Sequence, residues 1–192
     1  MDFAAELANL RATQPDAVYF FFPGGQGINF TKQYYQAGLK EMAPLLGPAF
    51  SFDQDILGAV GEAALKSING SQWSPDLDNA LNKEFVAGFK AKYGRLPSLY
   101  ASQAFDTVLI LDAAVQAAGT GWADKTAFRD ALRKVAIDTT RGAFRFNNNH
   151  FPIQDYYVRE VVRGPDGTIT NRVVQKVFEN HADVYAPDCG MS

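Results

Sequence analysis

Apolar positions first recur at helical spacing: Phe3, Leu7 and Leu10 follow Asp2, a suitable N-cap, and Pro15 ends the pattern, so a helix is predicted over about residues 2–13. Ala17–Phe22 is then a continuous apolar run of strand length between Pro15-Asp16 and Pro23-Gly24-Gly25, the pattern of a strand inside a parallel sheet and covered on both faces. Ile28, Phe30, Tyr34, Tyr35 and Leu39 carry a second helix to Gly38, and Ala43–Leu46 reads as the next strand before Gly47-Pro48. A short helix at Asp53–Gly58 and a strand at Ala64–Ile68 follow, and the Gly-, Ser-, Asn-, Asp- and Pro-rich stretch 69–78 is the best linker. Leu81, Phe85, Phe89 and Tyr93 form an aromatic helical stripe closed by Gly94 and Pro97. Leu99–Ala118 is a longer helix, apolar on more than one face and so expected to be buried on several sides, and Lys125–Val135 is amphipathic. The tail turns to strands at Gly142–Phe146, Tyr156–Val162 and Thr168–Phe178, the last two joined at Pro165-Asp166-Gly167 into a hairpin.

With 192 residues, 47% of them hydrophobic, the chain can close a core without disulfides or metal, and disorder is excluded. A formal charge of -3 lacks the basic excess that drives nucleic-acid binding, so no nucleic-acid partner is expected. Gln103, Asp106, Asp112 and Gln116 interrupt the longest apolar stretch, which therefore is no membrane span. The single cysteine, Cys189, excludes an internal disulfide and a cysteine-rich metal site. Met1–Leu7 has neither the basic nor the apolar region of a signal peptide, so either the protein is cytoplasmic or an N-terminal part is missing.

Gly25-Gln26-Gly27 lies between a strand and a helix, yet a dinucleotide loop would need glycine where Phe30 stands, and no Walker lysine follows; no cofactor is expected. A ligand loop at the carboxyl end of a parallel strand and a plain tight turn both remain as readings. His150 and His181 lack metal-ligand spacing to any second His or Cys, and no nucleophile elbow is present, so no metal and no catalysis are expected. Phe50 and Phe52 are aromatic residues in a loop rather than in a periodic segment, which singles them out.

The ordered string Pro15-Asp16-Ala17-Val18-Tyr19, Gln33 to Gly38-Leu39, Phe85–Lys90, Tyr93-Gly94-Arg95-Leu96-Pro97-Ser98-Leu99-Tyr100-Ala101 and Ala104-Phe105-Asp106 resembles the periplasmic solute-binding proteins of ABC importers, branched-chain amino-acid binding class. Arg141–Asn147 to Asp155–Val158 is similar to the closing segment of the same family. The resemblance implies an α/β fold: a Rossmann-like, three-layer lobe of the type I periplasmic-binding-protein class, here incomplete, a second lobe with part of the first. Residues 1–72 would be second lobe, 73–156 a mostly helical segment returning to the first lobe, and 157–192 the closing hairpin of the second. It also implies an exported, periplasmic protein whose signal peptide would precede Met1.

By the same resemblance a small solute sits in an interlobe cleft without chemistry. The ligand loops would be Phe22, Pro23, Gly24, Gly25 and Gln26, then Phe50, Ser51, Phe52 and Asp53, with Tyr100 as aromatic cover. Amino-acid binders of the family carry a glutamate in the second loop for the ammonium group, where this chain has Ala49-Phe50. A buried ammonium without a carboxylate is costly, which favours an aromatic carboxylate over a branched-chain amino acid unless Asp53 substitutes. Phe52→Ala or Tyr100→Ala would then weaken binding without unfolding the protein. Implied partners are the solute, the importer's membrane permease, and either a missing N-terminal half or a second copy. A ligand-sensing receptor domain of the same fold and an α/β enzyme are the alternative classes.

Overall fold

The computed structural model describes residues 1–190. Its elements run α1 (Ala4–Thr13), β1 (Val18–Tyr19), α2 (Gly24–Gln36), β2 (Leu45–Pro48), α3 (Gln54–Val60) and β3 (Ile68–Ser71). They continue as α4 (Ala80–Tyr93), α5 (Leu99–Ala118), α6 (Lys125–Arg133), β4 (Ala136–Thr139), β5 (Gly142–Phe146), β6 (Pro152–Arg163) and β7 (Ile169–His181). The chain divides into two compact units, one of Met1–Asp76 with Tyr157–Gln175, the other of Leu77–Tyr156 with the residues from Lys176 on. Residues 176–181, the end of β7, group with the second unit.

The first unit is an open mixed α/β sheet. β1, β2 and β3 are parallel, with Val18 opposite Leu45 and Leu46 opposite Ile68. β6 closes on β3 in antiparallel register, Ile68 opposite Glu160 and Ser71 opposite Tyr157, and β7 pairs with β6. Phe3 at the cap of α1, Leu7 of α1, Phe30 and Tyr34 of α2, and Leu57 and Val60 of α3 meet Val18, Leu45 and Val161 in one core. Aromatic packing dominates it: the Phe20 and Phe30 ring centroids are 5.1 Å apart, and Phe3 meets Phe30 edge-on at 5.3 Å. Burial raises the pKa of Tyr34, whose hydroxyl donates to the Ala43 carbonyl at 2.9 Å.

Several strands depart from the hydropathy reading. β1 is short and lies at the end of the strand order, so Val18 and Phe20 face the core while Tyr19 and Phe21 are 65% and 64% exposed, not covered on both faces. β2 starts at Leu45 rather than Ala43. The stretch Gly61–Ala64 is a 3₁₀ turn burying Ala63 and Ala64, which moves β3 from the expected 64–68 to Ile68–Ser71. Asp2 accepts from the Ala4 amide at 3.0 Å, but Phe3 holds the cap position of α1.

In the second unit, α4 begins where Asn79 accepts from the Asn82 amide and ends at Gly94 in the left-handed region. α5 spans Leu99–Ala118 as predicted, capped by Ser98 accepting from the Ala101 amide. Its buried stripe is Leu99, Ser102, Asp106, Ile110 and Ala114, while Phe105, Val108, Leu111 and Val115 are exposed, so one face rather than several is covered among the described residues. β4 and β5 form an antiparallel hairpin, Thr139 opposite Gly142, and β5 pairs with the start of β6, Arg145 opposite Ile153.

Two separated parts of the motif string meet in this unit. Arg141 Nε donates to Asp106 at 2.9 Å, and the Thr140 amide donates to the other Asp106 oxygen at 2.8 Å. Arg141 reaches on to Gln154 at 2.6 Å, and Ser102 bonds Thr140 at 2.6 Å. Asp106 is fully buried and the Arg141 side chain nearly so, so removing the carboxylate alone strands a cation. Asp106→Asn is expected to lower stability by about 3 kcal/mol, read from the urea midpoint at unchanged slope; an unchanged midpoint would mean the pair is dispensable.

Candidate functional site

β1 and β2 are parallel, so the segments that follow them emerge at the same end of the sheet, where open α/β sheets bind ligands. After β1 the chain passes Phe20–Phe22 and enters α2 with Pro23 at the cap position, extended and without a side-chain cap. Gly27 lets this turn close: a Cβ there would lie 2.4 Å from the Phe22 carbonyl oxygen, a distance no other residue tolerates. After β2, Ala49–Phe52 form a single 3₁₀ turn, and Asp53 starts α3.

The two segments are tied together. Ser51 Oγ donates to the Phe22 carbonyl at 3.2 Å. Phe50 meets Phe21 edge-on at 5.0 Å, and Phe52 meets Phe20 edge-on at 5.5 Å. Phe20 and Phe52 both close on the backbone of Gly47, where a Cβ would lie 3.2 and 3.1 Å from their rings.

The residues selected from the sequence therefore fall into distinct groups. Pro23, Gly24, Gly25 and Gln26 are exposed, and Phe22 and Phe50 are half-buried. Ser51, Phe52 and Asp53 are buried. Phe52 has no exposed surface and belongs to the core cluster, so the expectation that it stacks on a solute is corrected: its ring supports the loop from beneath. Tyr100 lies on the first turn of α5, in the other unit, and is 54% exposed.

A buried polar chain missed in the sequence stands behind the second loop. Arg159 on β6 donates from Nε and Nη2 to Asn69 Oδ1 at 2.8 and 2.6 Å, and from Nη1 to the Trp73 carbonyl at 2.7 Å. Asn69 Nδ2 donates to Asn171 Oδ1 at 2.8 Å, and Asn171 Nδ2 donates to the Phe52 carbonyl at 2.8 Å and to Gln54 Oε1 at 3.3 Å. Burial pushes the Arg159 guanidinium down to about 10, against the opposing pull of the Asp53 and Asp76 carboxylates, so it stays charged at neutral pH. The alternation of β6 carried the signal: Tyr157, Arg159 and Val161 share the buried face, an unusual place for an arginine.

A cavity of about 240 Å³ lined by Lys40–Leu45, Lys66 and Ser67 lies before β2 and β3, at the amino end of the strands and away from these loops. Among the described residues no group of three His, Cys, Asp or Glu side chains could hold a metal ion. No helix among them is long and apolar enough to cross a membrane.

Comparison with known proteins gives a consistent set. A solute-binding protein of an ABC transporter from R. palustris, solved in complex with benzoate, superposes with a TM-score of 0.85 at 33% identity, covering 95% of this chain and 49% of that one. A solute-binding protein from Rhodopseudomonas palustris BisB5, solved in complex with 3,4-dihydroxybenzoic acid, gives 0.84 at 32% identity, covering 95% and 50%. The Leu/Ile/Val-binding protein homolog 6 of Brucella melitensis is 26% identical over 187 residues, covering 95% of this chain and 47% of its own length. The chain thus spans about half the length of the relatives it matches, and these relatives are binding proteins rather than enzymes. The family described as periplasmic binding protein matches residues 1–167, and the chain belongs to that family.

Proposed function

We propose that this chain is one half of the solute-binding component of an ABC importer, acting in the periplasm, and that its solute is a small aromatic carboxylate. The observation that carries this reading is the makeup of the second loop. It offers the half-buried ring of Phe50, braced edge-on by Phe21, where amino-acid binders of the family carry an acid, and the loop's own carboxylate, Asp53, is buried. A planar aromatic ring gains from such a surface, whereas a solute ammonium group finds no exposed carboxylate within Ala49–Asp53. The benzoate and dihydroxybenzoate complexes of the two R. palustris proteins support the same class.

In this reading Phe22–Gln26 and Phe50 face the solute, and Ser51 and Asp53 hold the loop. The importer's permease is the membrane partner. The remainder of the two-lobed receptor comes from residues outside this chain, in keeping with coverage of about half of each relative. A branched-chain amino acid is the second reading, favoured by the Brucella relative's name.

Calorimetric titration and thermal shift of the complete protein with benzoate, 3,4-dihydroxybenzoate, leucine and valine test the assignment. A ligand that binds only the folded state adds about 2.7 kcal/mol of stability at a hundredfold excess over its Kd. The aromatic acids are expected to produce that shift and leucine to produce little. A shift with leucine alone would establish the second reading, and no shift with either class would overturn the first.

A further inference from the structure

The placement of Arg159 bears on how the second loop selects its solute, and the inference rests on the aromatic-carboxylate reading above. Arg159 is buried, and the oxygens to which its Nε, Nη1 and Nη2 donate, Asn69 Oδ1 and the Trp73 carbonyl, are neutral. The carboxylates that favour its charged form are Asp53 and Asp76, and Asp53 is itself buried at the end of the solute loop. Asn69 is oriented by this contact: its oxygen takes the arginine fork, so its amide nitrogen must face Asn171. Asn171 in turn bonds the residues on either side of Asp53, at the Phe52 carbonyl and the Gln54 side chain.

We propose that Arg159 is a specificity-determining positioning residue: it compensates the charge of Asp53 and, through Asn69 and Asn171, fixes Phe52-Asp53-Gln54, so that the loop has no negative charge to offer an ammonium group. The buried guanidinium and its asparagine chain are then a device for rejecting amino acids. A carboxylate near the solute loop attracts an ammonium group only where its charge is not already matched, and a buried guanidinium matches it permanently because arginine does not deprotonate at neutral pH. The neutral asparagines transmit position without adding charge.

The test compares benzoate with leucine in the complete protein, using the ratio of the two dissociation constants. Arg159→Gln removes the cation, keeps a donor toward Asn69, and should shift the ratio at least about tenfold toward leucine. Arg159→Lys retains the charge and should hold the wild-type ratio within about threefold, even where absolute affinities fall. An equal loss of affinity for both solutes in Arg159→Gln would mark a merely structural role and overturn the proposal. Should Arg159→Gln fail to fold by circular dichroism, Asn69→Asp decides: this isosteric change sets a carboxylate against the guanidinium and breaks the donor to Asn171, and it should shift the ratio in the same direction. An unchanged ratio there also overturns the proposal. Failure of the underlying solute reading is separately visible, because the wild type would then bind leucine as tightly as benzoate, or bind neither.

Discussion

Phe52→Ala will destabilise the protein by about 3–5 kcal/mol, the cost of emptying a fully buried phenylalanine site. The ring has no exposed surface, meets Phe20 edge-on at 5.5 Å and lies over the backbone of Gly47, so its loss leaves a cavity that neither neighbour can fill without moving the loop. Against a typical total of about 5–15 kcal/mol this is a large share. The half-buried Phe50 provides the contrast: Phe50→Ala should cost within about 1 kcal/mol of stability while lowering benzoate affinity. Urea denaturation followed by circular dichroism, run beside calorimetry, separates the two. A Phe52→Ala variant of wild-type stability would mean that the ring is not part of the core.

The isolated chain will associate at micromolar concentration through α5. Phe105, Val108, Leu111 and Val115 recur three to four residues apart on that helix and remain exposed, Val108 at 65%. Phe105 continues into the aromatic stripe of α4, its ring 4.8 Å from Phe85. Contiguous apolar surface of this kind is rare on a soluble monomer and drives self-association. Sedimentation velocity should show dimers or larger species, and Val108→Glu with Leu111→Lys should return the chain to a monomer with unchanged far-UV circular dichroism. A wild-type chain that stays monomeric, with slow amide exchange throughout Leu99–Ala118, would overturn this expectation.

The helices were legible because their ends are written in residue types. Ser98 and Gly119 bracket α5, and Gly94 closes α4. The tail strands were legible too, β5 falling at the expected Gly142–Phe146, but β1, β3 and β4 were not read correctly, for a different reason in each case. Ala17–Phe22 is apolar at every position, so periodicity could not reveal that Tyr19 and Phe21 are exposed at the end of the strand order. β3 buries Asn69 and Ser71, polar residues that hydropathy assigns to a linker, because Arg159 satisfies Asn69 from β6, 90 positions later. β4 is a four-residue strand with little buried side chain, and nothing in Ala136–Thr139 announces it. In the candidate site, a loop position suggested that Phe52 was available to a solute. The 3₁₀ turn at Ala49–Phe52 directs it into the core and leaves Phe50 at the surface. The Asn171 clamp was invisible for want of any local pattern, since its contact with Phe52 spans 119 positions.

That separation sets an order of events during synthesis. The tie between Ser51 and Phe22 joins residues 29 apart and can form as soon as β2 has emerged, but the Arg159–Asn69 and Asn171–Phe52 contacts wait for 90 and 119 residues. At ribosomal speeds the interval from Asn69 to Arg159 is about 5–20 s, during which β3 lacks its β6 partner and Asn69 its cation. Folding of the intervening Leu77–Tyr156 unit shortens the effective loop that must close, so its early formation speeds the return of β6. The segment Ala49–Gln54 is consequently the last part of the sheet's carboxyl edge to acquire its final geometry, and a nascent chain arrested before Asn171 carries every residue of that segment without the clamp that holds it.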